Sequence, residues 1–140
     1  MTDDPEPRRY TGHLIRRAQQ HHAALWLAHV STKFSSVQYA ALAVLERIPT
    51  ASQSELGVEL DLDRSTIADI VSRLEKRGVI KRSAHESDRR RYSLRLTAAG
   101  LATLENLRPL VVEMNMTLTQ NLSAKELATL RMLLNRIVNK

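Results

Sequence analysis

The chemistry this chain can offer lies in its arginines and histidines. From His85 to Thr97 it reads HESDRRRYSLRLT: Asp88, then Arg89, Arg90 and Arg91 in a row, then Arg95. A guanidinium is always charged and presents a planar fork of donors that matches phosphates and base edges. A cluster of them binds anions; it does not break bonds. The chain has 140 residues and a net charge of +6, and the segment from Arg73 to Arg95 holds nine basic residues against three acidic ones. The remaining 12 basic and 12 acidic residues cancel. An excess confined to 23 consecutive residues is the footprint of a polyanionic partner. The competing reading is a solvated charged face.

The histidines raise a second question, what the protein senses. His21, His22 and His29 fall within nine residues, and His22, Trp26 and His29 follow one helical face at i, i+4, i+7. Arg16 and Arg17 lie one to two turns earlier. Helical histidine pairs bind zinc, but usually at i, i+4 and with further ligands, and neither Cys nor a neighbouring carboxylate completes a set here. No metal site is therefore expected. An aromatic wall with a few polar groups suits a small organic effector, and Tyr39 on the next helix can close it. The plainer alternatives are core packing for Trp26 and Tyr39 and polar surface for the histidines.

Other chemistries are thinly supported. There is no cysteine, hence no disulfide and no thiol redox sensor. No nucleophile–base–orienter set, Gly-rich phosphate loop or metal motif stands out, so no catalytic residue, no cofactor and no enzyme are expected. The opening MTDDPEPRR has no apolar stretch of a signal peptide, and no run approaches the ~20 residues of a membrane span. A cytoplasmic protein with no membrane partner is the expectation.

The elements that must position these residues are mostly helical. Periodicity predicts helices over about 8–32 (Leu14, Ala18, Leu25 and Val30 apolar) and 36–48 (Val37, Ala41, Val44, Leu45 and Ile48 inward). Ser52 and Glu55 form a capping box opening a short helix to Glu59. Asp63 caps a helix over 64–77 with Ile67, Ile70, Val71 and Leu74 apolar, and Gly78 ends it. Two short strands, 79–83 and 91–96, flank the charged turn as a hairpin, with Tyr92, Leu94 and Leu96 on one side and Ser93 and Arg95 on the other. Thr97 caps a long helix to about Leu122, kinked at Pro109. Ser123 and Glu126 open a last helix with Leu127, Leu130, Leu134 and Ile137 apolar. A length of 140 residues suggests one domain.

Two helices over 52–77 joined by a tight turn make a helix-turn-helix. The hairpin directly after them makes it winged. The arginine-rich turn is then a wing tip, suited to the negative potential of a narrow minor groove. The helix over 64–77 presents Arg64, Ser65, Thr66, Ala68, Asp69, Ser72 and Arg73 opposite its apolar face. Small hydroxyl and methyl side chains let such a helix enter a major groove.

The segment LDRSTIADIVSRLEKRGVIKRSAHESDRRRYSLRLTAAG resembles the DNA-binding lobe of the MarR family of transcriptional regulators. The family's wing pattern, Asp-x-Arg and an apolar strand ending in Leu-Thr, falls on Asp88, Arg90, Leu96 and Thr97. The resemblance extends to both chain ends, including the terminal Leu-Ser-x-x-Glu helix. It implies that Arg90 enters the minor groove, steadied by Asp88 beside Arg89, and that Ser65, Thr66, Asp69 and Arg73 face double-stranded DNA. It also implies a homodimer pairing the first helix with the last two, on a palindromic operator.

GHLIRRAQQHHAALW followed by FSSVQYAALAVL is similar to the MarR subgroup controlling aromatic-acid catabolism, some of whose members sense a coenzyme A thioester. The fold expected is thus mainly α: a winged helix-turn-helix lobe (35–97, wing about 79–96) plus a dimerisation region of N- and C-terminal helices (1–34 and 98–140). The function expected is repression relieved by an aromatic carboxylate or aromatic acyl-CoA, with Arg16, Arg17, His21, His22, Trp26, His29 and Tyr39 as effector residues. A metal- or other small-molecule-responsive regulator is the alternative.

Overall fold

The structure is a computed structural model that describes residues 5–84 and 92–139. Among the described residues six helices and two paired strands follow in order: α1 (Thr11–His29), α2 (Ser36–Arg47), α3 (Gln53–Glu59), α4 (Arg64–Lys76), β1 (Ile80–Ala84), β2 (Tyr92–Leu96), α5 (Ala98–Leu118) and α6 (Ala124–Val138). The mainly α winged helix-turn-helix expectation holds.

Helix ends fall where side chains can satisfy unpaired N–H groups. Ser35 and Gln38 form a full capping box on α2 that the sequence reading does not anticipate. Ser123 and Glu126 form the anticipated box on α6. On α3, Ser52 Oγ accepts from Glu55 N at 3.1 Å, but the reciprocal bond from Glu55 is not made, so only half of the expected box exists. Asp63 Oδ1 accepts from Thr66 N at 2.8 Å and from Ser65 Oγ at 2.9 Å. These bonds hold the Asp63 carboxyl below the usual aspartate range, the Thr66 backbone N–H first among them.

Chain contacts divide the described residues into two units: those up to Val30 together with those from Val111 onward, and Ser31–Leu110. α5 is continuous through Pro109, and the division falls just beyond that residue.

The Ser31–Leu110 unit has its own core. Ala41, Leu42 and Leu45 of α2, Leu56 of α3, Ile67, Val71 and Leu74 of α4, then Val79, Ile80, Leu94 and Leu104 are all buried. Leu42, absent from the predicted inward face, is fully buried, while Val37, predicted inward, is exposed. The burying face of α2 is rotated toward Ala41, Leu42 and Leu45.

The end of α4 makes a double turn: Gly78 N donates to Glu75 O at 2.9 Å and Val79 N to Leu74 O at 3.2 Å. This Schellman arrangement needs a left-handed residue, and Gly78 supplies it at φ +74°. α5 docks onto that turn. Thr97 N donates to Val79 O at 3.1 Å, and Thr97 Oγ1 donates to Gly78 O and accepts from Gly100 N. At Gly100 a Cβ would lie 2.0 Å from Val79 O, so only glycine permits this approach.

β1 and β2 pair antiparallel, Ile80 opposite Leu96 through Ala84 opposite Tyr92. Ala51 and Ser52 extend the sheet by a bridge to Ser93, with Leu94 N donating to Ala51 O at 2.8 Å. This third edge alters the predicted alternation. Ser93 is buried against Ser83 and the added edge, while Tyr92, at the outer end of the pairing, is 55% exposed.

The other unit contains α1, the end of α5 and α6. Trp26, Val30 and Met114 are its buried apolar residues. Leu14, Leu130, Leu134 and Ile137, predicted to be apolar contact positions, are exposed, and Leu127 is half-buried. Among the described residues no helix is long and apolar enough to cross a membrane.

Candidate nucleic-acid interface and effector region

α4 supplies the candidate reading surface because its two faces are chemically sorted. Ile67, Val71 and Leu74 anchor it in the core, and the opposite side carries the predicted set. Arg64, Ser65, Thr66, Asp69, Ser72 and Arg73 are exposed, and Ala68 is half-buried. Ser65 and Thr66 are tied to Asp63 at the first turn. Asp69 and Arg73 are not independent: Arg73 Nε donates to Asp69 Oδ2 at 2.9 Å, one helical turn apart. Arg64 makes no ion pair among the described residues.

The wing is fastened beside this surface by a network that local sequence patterns do not disclose. Arg82 of β1 donates from Nε to Glu75 of α4 at 2.7 Å and from a terminal nitrogen to Gln53 of α3 at 3.2 Å. One guanidinium therefore joins wing, recognition helix and preceding helix. The only sequence signal was opposite charge at a separation of seven residues, across a turn whose geometry periodicity does not give. Asp88, Arg89 and Arg90, predicted at the wing tip, lie outside the described residues.

The basic run is thus not uniformly available. Arg73 and Arg82 are paired with carboxylates. The Arg77 guanidinium sits 3.6 Å above the Phe34 ring and donates to the Lys33 carbonyl, holding the chain just before α2. Lys76, Lys81 and Arg95 have no ion pair among the described residues. Counting charges overstated the unpartnered cations: Arg73, Arg77 and Arg82 are exposed, but each guanidinium is already engaged by a neighbour.

Of the predicted effector residues, six lie on α1 and Tyr39 lies on α2, in the other unit. Trp26 is only 5% exposed; His22 is half-buried and its ring lies 6.1 Å from that of Trp26, tilted by 59°. His21, His29, Arg16 and Arg17 are exposed. Arg16 is hydrogen-bonded at 2.7 Å to His13 Nδ1, a residue the sequence reading passed over. Desolvation first, then the charges of Arg16, Arg17 and Arg8, lower the pKa of His13. Tyr39 meets Arg108, whose charged form is stabilised first by Glu46, at 2.7 Å, and then by Tyr39.

Within the terminal-helix unit, α1, the end of α5 and α6 enclose a groove of about 760 Å³. Leu14, Ile15, Ala18, Leu118, Leu122, Leu130, Leu133, Leu134 and Ile137 make it almost wholly apolar, with Thr11, Gln19, His22 and Thr119 as its polar lining. His22 is the one predicted effector residue on its wall. Among the described residues no three His, Asp or Glu side chains gather as a metal set.

Comparison with known proteins fits this architecture. The MarR family model matches residues 34–92. The chain is 30% identical over 129 residues to the HTH-type transcriptional repressor NicR of Pseudomonas putida, covering 91% of this chain and 82% of that one. It is 38% identical over 99 residues to a regulatory protein assigned to the hcr operon of Thauera aromatica, spanning 60% of that relative's length. The PcaV transcriptional regulator of Streptomyces coelicolor, solved with its natural ligand, superposes with a TM-score of 0.91 at 39% identity, over 96% of this chain and 95% of that one. BpsR of Bordetella bronchiseptica, whose DNA binding is regulated by 6-hydroxynicotinic acid, superposes with a TM-score of 0.83 at 26% identity, over 91% and 98%. With a winged helix-turn-helix lobe, a sorted α4 and similarity of this extent, the chain belongs to the MarR family.

Proposed function

We propose that this protein is a cytoplasmic, homodimeric transcriptional repressor that leaves its operator when an aromatic carboxylate or an aromatic acyl-CoA binds. The observation that carries the DNA-binding part is the exposed polar face of α4 on a lobe whose wing is pinned to that helix. α4 reads base edges in a major groove, and Arg90 enters the neighbouring minor groove. The uncovered apolar sides of α1, α5 and α6 supply the dimer contact.

A two-fold dimer places two recognition helices roughly 34–36 Å apart, so the operator is a near-palindrome with half-site centres about 10 bp apart. The effector reading draws support from the natural-ligand complex of PcaV and from the regulation of BpsR by 6-hydroxynicotinic acid. In this chain Arg16, Arg17 and the α1 histidines His21, His22 and His29 meet the carboxylate or CoA phosphates, and Trp26 meets the ring.

An effector releases DNA only by the difference between its affinities for free and DNA-bound protein. The test is titration of a protein–duplex complex with p-coumarate, benzoate and their CoA thioesters. Release by either class supports the reading; release by zinc alone overturns it in favour of a metal-responsive regulator. Binding to duplex DNA that ignores salt would remove its electrostatic basis.

A further inference from the structure

The pairing on α4 assigns a role to a residue that simple electrostatics would keep off a DNA-facing helix. Asp69 is the carboxylate in the middle of the exposed α4 surface, among Arg64, Ser65, Thr66, Ser72 and Arg73. A bare carboxylate there faces phosphates of the same sign and opposes docking. It contributes little to folding, since both members of the Asp69–Arg73 pair are well exposed and such pairs are weak. Its geometry points elsewhere. The bond enters through Nε of Arg73. Among the described residues the Arg73 side chain makes no other hydrogen bond, so both terminal nitrogens stay available. A guanidinium fixed at Nε is restrained in plane while its terminal nitrogens remain able to donate, as bidentate recognition of a guanine edge requires.

We propose that Asp69 is a positioning and specificity-determining residue: it orients Arg73 for one base or phosphate contact and, by its own charge, weakens docking on every other sequence. The inference rests on the DNA-binding reading above. On a matching site Arg73 makes its contact while still held by Asp69, and the carboxylate charge is offset. On a non-matching site Arg73 must turn to a phosphate, the pair opens, and an uncompensated carboxylate is left at the interface. The pair therefore lowers affinity for arbitrary DNA more than for the operator.

The sign of the effect is what tests this. A duplex is first selected by the wild-type protein from a random-sequence library. Affinities for that duplex and for poly(dI-dC) are then measured at one salt concentration for wild type, Asp69→Asn, Arg73→Ala and the double variant, with thermal midpoints alongside. Asp69→Asn is expected to fold normally and to bind poly(dI-dC) several-fold more tightly. Its ratio of selected to arbitrary affinity should fall on the order of tenfold, the worth of one good base contact. Arg73→Ala should lose a similar ratio, and the double variant no more than Arg73→Ala, because Asp69 acts through Arg73.

An Asp69→Asn protein that loses affinity equally for both duplexes, or keeps its ratio, overturns the proposal and leaves the DNA-binding reading standing. A wild-type protein that selects no duplex and binds none overturns both.

Discussion

α4 and α6 are built alike and end differently. Each carries an apolar stripe at helical spacing and a side-chain cap at its start. α4 buries Ile67, Val71 and Leu74 almost completely. On α6 no residue is buried: Leu134 remains 42% exposed and Ile137 59%. The chain itself supplies α4 with a core, drawn from α2, α3, the hairpin and the start of α5. For α6 it supplies a shallow apolar groove. Fully burying a Leu or Ile side chain is worth about 1.5–3 kcal/mol, so the stripe on α6 represents stabilisation that becomes available only when another surface covers it. The difference separates a unit with a closed core of its own from a unit that leaves much of its apolar stripe uncovered.

The sharpest way to break this contrast is to damage each core in turn. Leu74→Ala removes a fully buried side chain from the α4 core and should cost about 2–5 kcal/mol. In chemical denaturation that loss should be the same at every protein concentration. Leu134→Asp should instead convert a dimer to monomers by sedimentation. It should lower operator affinity on the order of a hundredfold or more, through loss of two-site binding. Its effect on the thermal midpoint should vanish at high dilution, where wild type also dissociates. A concentration-independent loss in Leu134→Asp would mean that the stripe belongs to an intrachain core after all.

The wing gives a smaller effect and tests the lobe alone. Arg90→Ala should weaken binding across sequences and reduce the slope of log affinity against log salt by about one unit, with folding unchanged. Arg82→Ala is different in kind. Its guanidinium is committed to Glu75 and Gln53, so removing it should reduce wing contributions by freeing the hairpin. Arg82→Lys should restore them only in part, because an ammonium lacks the planar fork. Full recovery with lysine would reduce the role of Arg82 to its charge.

The same contrast explains what could be read from the sequence. The lobe was legible because its signals are local. The caps at Ser52 and Asp63, the stripe on α4, Gly78 and the short strand ending at Leu96 each lie within a few residues of what they specify, and the helix ends given were placed within about three residues except the end of the fifth helix. The bridge from Ser52 to Ser93 was not legible, since two residues are too short to show alternation. The commitments of Arg77 to Phe34 and of Arg82 to Glu75 depend on tertiary placement, and so the charge count could not sort structural from free arginines. In the terminal helices the stripes were legible but their partner was not. An apolar period says that a face will be covered, not by which chain.

The smallest predicted effect lies at the start of α4 and concerns acid. Asp63 is fully exposed, yet its carboxylate accepts from the Thr66 N–H and the Ser65 hydroxyl, and its pKa is lowered in the folded protein. The unfolded chain titrates this group near the ordinary aspartate value of about 3.9. A group whose folded pKa lies below its unfolded one stabilises the fold fully above the unfolded value. That contribution is lost as pH falls through the folded pKa. The cap should therefore operate undiminished at neutral pH and fade only below about pH 4. Asp63→Asn keeps a capping oxygen but cannot titrate. The variant should match wild type closely at neutral pH and show a shallower decline in thermal midpoint between about pH 4 and pH 2. Glu126, held by Ser123 in the α6 box, is lowered in the same direction and leaves the variant some residual acid dependence. If Asp63→Asn tracks wild type through the whole acid limb, the carboxylate at the head of the recognition helix is an exchangeable cap whose charge is irrelevant to stability. A shallower limb instead makes the α4 N-terminus an acid-sensitive point in a lobe that otherwise depends on buried apolar packing.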